Sequence, residues 1–600
     1  MAYAAGANLK SQLIRPIAER LPALVRRDEI GLIFLGLLSG CIAGLLAAAI
    51  LAGSRFLHYH LFGHEQVSGL AQLDSPLQAL APLAGGLLLG ISGIFLHKWR
   101  PKRPVDPIEA NALRGGRMSL ADSMVITAQT VISNGFGASV GLEAAYTQMG
   151  SGFASFVGGL FRLRRADMRM LVACGSAGAI GAAFGAPLTG AFYAFELILG
   201  TYTPFGLAPV GAAAVGGVLV SRLFPSAGDF MGMAAASSPL SQTDMLMMLL
   251  LGVFCAGFGI AVMRGVSFIE AAFRWTRLPQ PLHPALGGLV VGGLALLTPQ
   301  VLASGHSAAV ALFSEMAPAI GVIALALGLK AIAATISLGS GFRGGLFFAS
   351  LYLGGMIGRV YCYGIGLYDP SLAPDASVCA IVGMTALAVA IVGAPLTMSF
   401  LALETTGNFP LSLVMLAVST IVSVIVRRSF GYSFATWRLH LRGESIRSAQ
   451  DIGWMRDLTV GRLMRPDVQT ARSDMTISEF IKRFPLGSTQ CVVAIDPSGR
   501  YKGIVFVANA HLLPKDAVAN GADLTAVSRN LEQFLEPEMN ITLAAQIFEQ
   551  NESEALAVVD NAVDRRVIGL LTEAHVLRRY AEELDKARSE LSGENWGVRA

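Results

Sequence analysis

Chemistry is scarce in this chain, and most of it stands alone in apolar surroundings. The run Ser133–Gly152, SNGFGASVGLEAAYTQMGSG, holds one carboxylate, Glu143, in a glycine-rich break. No other Asp, Glu, Lys or Arg lies between Asp122 and Arg162. A charged side chain at the centre of a bilayer costs about 2.5–3.5 kcal/mol, so it is seldom there without a task. The plainer alternative is a loop glutamate at the membrane surface. Two more carboxylates are equally isolated. Glu196 is the sole charge between Arg169 and Arg222, and Glu404 the sole one between Asp375 and Arg427.

Enzymatic chemistry finds little support. A membrane enzyme would need a nucleophile with a base, or a metal motif such as HExxH. His58, His60 and His64 are near one another, but their spacing follows a helix end and reads as interfacial. The cysteines (Cys41, Cys174, Cys255, Cys362, Cys379, Cys491) form no CxxC pair and read as small buried hydrophobes. The chain is therefore read as no enzyme, with no metal and no cofactor.

The elements that must position Glu143 are membrane segments. Of 600 residues, 53% are hydrophobic and 14% charged, against roughly 25% charge in soluble domains. The net charge of +4 is too small to mark a nucleic-acid partner. Residues 1–28 are basic (Lys10, Arg15, Arg20, Arg26, Arg27) and precede the first long apolar run, which predicts a cytoplasmic N-terminus. Apolar segments follow near 30–57, 77–98 and 119–134, then shorter ones near 151–161, 169–183, 186–199 and 205–221. A second series runs near 243–265, 284–303, 318–337, 345–365, 377–392, 395–404 and 410–426. Many are too short to cross a bilayer, which takes about 20 residues. Broken segments in two halves are the mark of inverted-repeat transporters.

The repeat is legible directly. GSAGAIGAAFGAPLT from Gly175 matches GMTALAVAIVGAPLT from Gly383 at a constant offset of 208. Glu196 and Glu404 follow at the same offset. Pro187 and Pro395 belong in the first turn of a helix. That puts both carboxylates in a last turn, opposing the helix dipole and bonding neighbouring backbone. A weaker copy relates Gly141-Leu142-Glu143 to Gly345-Leu346-Phe347, each in a glycine-rich break before an apolar helix. Helix starts expose unpaired N–H groups and hold anions. Two such starts converging at midplane would seat an anion that Glu143 can replace, acting as a gate released by protonation. Lys330 and Arg343 read as helix-end capping, with a role in drawing anions as the alternative.

At these residues the chain resembles the CLC family of chloride channels and proton-coupled chloride exchangers, over about 30–443. The family's GREGP-like run stands as Gly141-Leu142-Glu143-Ala144-Ala145, and its GxFxP-like run as Gly345-Leu346-Phe347-Phe348-Ala349. The resemblance implies anion contacts at Gly141, Leu142, Gly345, Leu346 and Phe347. It also brings departures. The GSGIP-like loop stands as Arg103-Pro104-Val105-Asp106-Pro107, so Pro104 takes the place of the anion-coordinating serine. The inner tyrosine is Ala435, and the proton-relaying glutamate of exchangers is Leu197. These favour a channel-like anion pathway over a proton-coupled chloride or nitrate antiporter. A cation transporter is the remote alternative, since only lone intramembrane acids are present. The resemblance further implies a homodimer through 186–221 and 395–426, chloride or a similar monovalent anion as the permeant species, and the inner cell membrane as location.

The last 150 residues carry 39 of the 86 charged residues, so a water-soluble domain follows the membrane domain. Its short strands and polar helices resemble a pair of CBS modules, at 456–518 and 523–585, on the cytoplasmic side. Such pairs often bind adenine nucleotides through a Gly-h-h-Ser/Thr-x-x-Asp ending. Here the endings reach Asn509 and His575, so a structural or dimerising tail stands beside a nucleotide sensor. The helix at 580–590 reads as a solvated face. The expected fold is an all-α polytopic membrane protein, with repeat halves at about 29–225 and 240–430, plus a small α/β CBS-pair domain.

Overall fold

A computed structural model describes residues 29–65, 67–70, 72–99, 104–224, 240–313, 318–441, 459–513, 522–579 and 582. The basic segment 1–28, Arg103 and nearly all of 580–590 lie outside them. The chain divides into two units, Met1–Asp451 and Ile452–Ala600.

The first unit is helical. Its first half runs α1 (Glu29–Phe62), α2 (Ala81–Trp99), α3 (Pro107–Leu113), α4 (Leu120–Gly135), α5 (Glu143–Leu160), α6 (Arg165–Phe184), α7 (Pro187–Tyr193, continued by a π turn Ala194–Leu199) and α8 (Pro204–Ser221). The second half runs α9 (Gln242–Trp275), α10 (His283–Ala295), α11 (His306–Ala311), α12 (Ile320–Ser340), α13 (Phe347–Tyr368), α14 (Ala376–Val392), α15 (Pro395–Thr406), α16 (Phe409–Ser429) and α17 (Phe434–Leu441). Six helices among the described residues are long and apolar enough to cross a membrane. The others are short, or buried within the unit. The first eight helices of the two halves follow in the same order, each half opening on a helix of 34 residues, and α17 follows as an addition to the second.

Small residues explain the tight packing. Lipid gives no hydrophobic drive between helices, so close backbone approach must hold them. A Cβ added at Gly40 or Gly44 would strike the backbone of Ala213 or Gly217, and one at Gly354 the backbone of Gly383. The run after Glu143, read above as part of a glycine-rich break, is helix. The break is confined to Phe136–Leu142, and Glu143 is the first residue of α5. Gly150 and Gly152 do not interrupt that helix; they let it meet Gly175 and Ser123.

The lone carboxylates of the repeat correct their expected role. Each lies near the end of its own helix, but its partner is the start of the mate's helix in the other half. Glu404 accepts from the N–H groups of Leu188 (2.7 Å) and Thr189 (2.9 Å) and from the Thr189 hydroxyl (2.7 Å). Glu196 accepts from Leu396 N–H (2.9 Å), Thr397 N–H (2.8 Å) and the Thr397 hydroxyl (2.6 Å). Every residue in one set maps onto the other by the 208 offset. The negative charge therefore sits on a positive helix end instead of opposing a negative one. Phe192 and Phe400, also repeat mates, stack at 4.3 Å between the two clasps. Glu404→Ala would leave two N–H groups and a hydroxyl without their acceptor. We expect it to lower stability by roughly 1–3 kcal/mol, read as a lower Tm in detergent, with Glu404→Asp intermediate.

The second unit is α/β. Strand β1 (Thr470–Arg472) pairs in parallel with β2 (Cys491–Ile495), which pairs antiparallel with β3 (Tyr501–Phe506). A second sheet joins β4 (Ala555–Val559) antiparallel to β5 (Val567–Thr572). The modules exchange their edges. Val460 and Leu463 pack into the second core with Leu535, Ile541 and Phe548, and Arg465 N–H bonds Leu570 O at 2.9 Å. In return Leu524 enters the first core, and Ile504 and Arg529 exchange backbone bonds of 2.8 Å. The linear boundaries 456–518 and 523–585 thus cut across both cores. Cys491 lies buried between the sheets, where burial and the nearby Glu554 carboxylate push its thiol up to about 11.

Candidate functional site

Two loops at corresponding places meet at the centre of the membrane unit. One, Phe136–Leu142, joins α4 to α5. The other, Gly341–Leu346, joins α12 to α13. They are stitched by a two-residue antiparallel bridge, Gly141 N–H to Gly345 O at 2.9 Å and Gly345 N–H to Gly141 O at 3.3 Å. Side chains fix them further. Ser139 N–H donates to Ser337 Oγ (3.0 Å), Arg343 N–H to Ser133 Oγ (3.0 Å), and Asn134 Nδ2 to Val140 O (2.7 Å).

This brings the starts of α5 and α13 together. Glu143 is 7% exposed, and its Oε1 accepts from Phe348 N–H at 3.3 Å. A carboxylate on a helix start meets the positive end of the dipole as well as the orphan donors. The seat requires glycine on both sides. A Cβ at Gly345 would stand 2.6 Å from Glu143 Oε1, and one at Gly141 would overlap the same carboxylate. Gly141, Leu142, Gly345, Leu346 and Phe347, singled out from the sequence, are thus gathered around Glu143.

Two cavities adjoin Glu143, and it lines both. The first, of about 80 Å³, lies towards the end of α1 and includes Arg55, His58, Glu65, Tyr146, His306 and Phe348. The second, of about 160 Å³, includes Asp106, Thr147, Tyr193, Leu197, Ala435 and Arg438. Each has room for several waters. Phe347 borders the second cavity and Phe348 the first, with Phe184 packed on both rings at 4.8 and 5.6 Å.

The departures from the resemblance fall as follows. Ala435 and Leu197 line the second cavity, where neither offers a hydroxyl or an acid. Pro104 is not among its lining residues; Asp106, two positions on, is. Asp106 is the N-cap of α3, its carboxylate accepting from Ile108 N–H at 2.8 Å. Asp106, Arg438, Tyr193 and Thr147 escaped the sequence reading. The Asp-Pro pair at 106–107 did carry a signal, since Asp before Pro is a helix-start signature.

The other singled-out cations and histidines do different work. Lys330 is fully buried and donates to the carbonyls of Val301 (3.1 Å), Leu302 (3.3 Å) and Ala303 (2.7 Å). Its three donors are all used, in support of the turn beside the first cavity. Arg343 is exposed. His58 faces two backbone oxygens, Asn134 O at 2.9 Å and Glu65 O at 3.3 Å. His60 bonds Phe56 O (2.9 Å), and His64 pairs with Asp74 (3.2 Å).

Comparison with known proteins follows the same lines. A family profile described as "Voltage gated chloride channel" matches residues 85–428. A "Putative chloride channel protein ClcB-like" from Ralstonia nicotianae is 34% identical over 391 residues, covering 64% of this chain and 91% of that protein. The solved structure of a slow cyanobacterial Cl-/H+ antiporter is 21% identical, with a TM-score of 0.60 over 68% of this chain and 97% of its own. A eukaryotic CLC transporter, 18% identical, has a TM-score of 0.57 over 92% of this chain and 98% of its own, a share that reaches into the tail.

Proposed function

The chain belongs to the voltage-gated chloride channel (CLC) family of multi-pass anion-transport proteins, which are not enzymes, and we propose that Glu143 is the gate of its anion pathway. The observation that carries this reading is the position of one carboxylate: it borders both cavities and accepts from Phe348 N–H at the start of α13. Ionised, Glu143 occupies the seat as a tethered anion. Protonated, it loses most of its attraction to the helix start, and a free monovalent anion, chloride or one like it, takes the place. The seat is made of backbone N–H groups, so it attracts anions without the permanent cation that would hold them too long.

The pathway is channel-like in this reading. Leu197 borders the second cavity and relays no proton, and with Ala435 there in place of a hydroxyl the inner end is weakly closed. Proton-coupled exchange is the second reading, favoured by Asp106, the one acid other than Glu143 among the described residues that line that cavity. The two diverge in electrical terms. For a channel, the reversal potential follows the anion gradient alone and stays put when a proton gradient is imposed. A shift towards the proton equilibrium potential in planar bilayers would assign exchange instead.

Orientation follows from charge. Arg114, Arg117, Arg162, Arg164, Arg165, Arg427 and Arg428 stand at or next to the ends of α3, α5 and α16, and we read those ends as sharing one side of the membrane. By the positive-inside rule that side is cytoplasmic. The second cavity then opens inward, the first opens outward, and the tail is cytoplasmic at the inner membrane. We assign the homodimer to the face formed by α7, α8, α15 and α16, where Leu207, Leu219, Phe409 and Leu413 are all exposed. The tail is read as a CBS pair without an assigned nucleotide. At the second ending His575 stands beside Arg578 at 3.2 Å, and with Arg465 and Arg579 close by it is a poor substitute for a ribose-binding acid.

A further inference from the structure

Asp106 poses a problem for an anion pathway. A carboxylate in the inner cavity repels the ion that must pass, a cost that capping α3 does not itself require. Asn or Ser caps a helix about as well without bringing a charge.

The surroundings supply a reason for the charge. Asp106 and Glu143 line one cavity, and they are its only acids among the described residues. Tyr193 lines the same cavity from α7. Thr147 lines it as well, and its hydroxyl donates to the backbone oxygen of Glu143 at 3.0 Å. Hydroxyls of this kind can hold a file of water in place, and a proton passes between acids through hydrogen-bonded water.

We propose that Asp106 carries protons between the inner solution and Glu143, filling from the start of α3 the position that Leu197 leaves empty. This rests on the reading of Glu143 as the gate. Protonated Asp106 gives its proton to cavity water, and a proton of that water file passes to a Glu143 oxygen. Asp106 is left as the carboxylate and is reprotonated from the inner solution; nothing is oxidised or reduced. Among the described residues, the charged and titratable groups on the elements around Asp106 are few. Arg438 faces the same cavity from α17. Glu143 and Tyr193 face it from α5 and α7. Glu196, on the π turn packed against α3, has its carboxylate held by Leu396 and Thr397. Asp167 and Arg169 lie at the start of α6, where Arg169 O accepts from Asn111 Nδ2 at 3.2 Å. Glu109, on α3 itself, pairs with Arg114 at 3.1 Å.

The test steps pH on one side at a time, in inside-out patches of membranes holding the full-length protein. In the wild type, acidifying the inner side raises the anion current. Asp106→Asn keeps the cap and loses the proton. The inner response should weaken by about tenfold or more, as for loss of a general acid, while the response to outer pH, which reaches Glu143 through the first cavity, is retained. Asp106→Ser, a second capping residue, should behave alike, and Asp106→Glu should restore part of the inner response. The proposal is overturned if the wild type ignores inner pH, if Asp106→Asn keeps the full inner response, or if it loses inner and outer responses together. Glu143→Gln separates the two levels. Should that variant still respond to pH on both sides, the gate reading itself fails; should it be flat while Asp106→Asn responds normally, only the role of Asp106 falls.

Discussion

Glu143→Gln should conduct anions at the same rate from acidic to neutral pH, at a level the wild type approaches only in acid. The amide matches the protonated acid in size and carries no charge to gain or lose. In the wild type, falling pH adds a proton to the carboxylate, weakens its hold on the α13 N–H groups, and frees the seat; flux rises as pH falls. When ionised, the side chain is held by a charge-assisted hydrogen bond, a kind that contributes about 1.5–3 kcal/mol. Removing even one such contribution shifts occupancy of the seat towards the free anion by about tenfold or more, since 1.4 kcal/mol is a factor of ten. The measurement is chloride efflux from proteoliposomes, with an ion-selective electrode, across a pH series. A variant that keeps the wild-type slope would show that Glu143 does not set the pH response.

What was legible beforehand, and what was not, divides by sequence distance. Pro187 and Pro395 mark helix starts because proline suits the first turn and nothing later, and both stand at those starts in the structure. The 208 offset carried the symmetry of the halves. Glu143 stood out because charge is costly in lipid, and the structure places it against Gly345 and Phe348. The partners of Glu196 and Glu404 were missed, since reasoning from one helix end considers only its own neighbourhood. Leu396 and Thr397 lie some 200 positions away from Glu196. The offset held the clue: two carboxylates and two GAPLT starts related by one shift can satisfy each other, and their own helix ends cannot satisfy an anion. Asp106 was passed over for a different reason. It was weighed as part of a loop that had lost a serine, and not as an acid in its own right. The exchanged edges of the tail were beyond reach, because β5 accepts a neighbour from either module with the same backbone pattern, and only tertiary packing selects Arg465.

Gly345→Ala tests the seat without touching the acid. Gly345 is not among the residues with positive φ, so alanine meets no backbone strain there. Its new methyl would lie 2.6 Å from Glu143 Oε1 and 2.9 Å from Cδ and Cγ, closer than van der Waals contact allows. Something must move, and between a stitched backbone bridge and the end of a flexible side chain, the side chain moves. The carboxylate then loses alignment with Phe348 N–H. Loss of about 1.4 kcal/mol of that contact raises flux at neutral pH roughly tenfold, by the same free-energy arithmetic. The double variant Gly345→Ala with Glu143→Gln should conduct no faster than Glu143→Gln alone, because both act on one occupant of one seat and their effects do not add. Additive increases would mean that the methyl widens some other constriction. A fall in flux with the pH slope intact would mean that the methyl blocks the anion while Glu143 rests elsewhere. The glycine is thus a steric reporter for where the acid sits, independent of how it titrates.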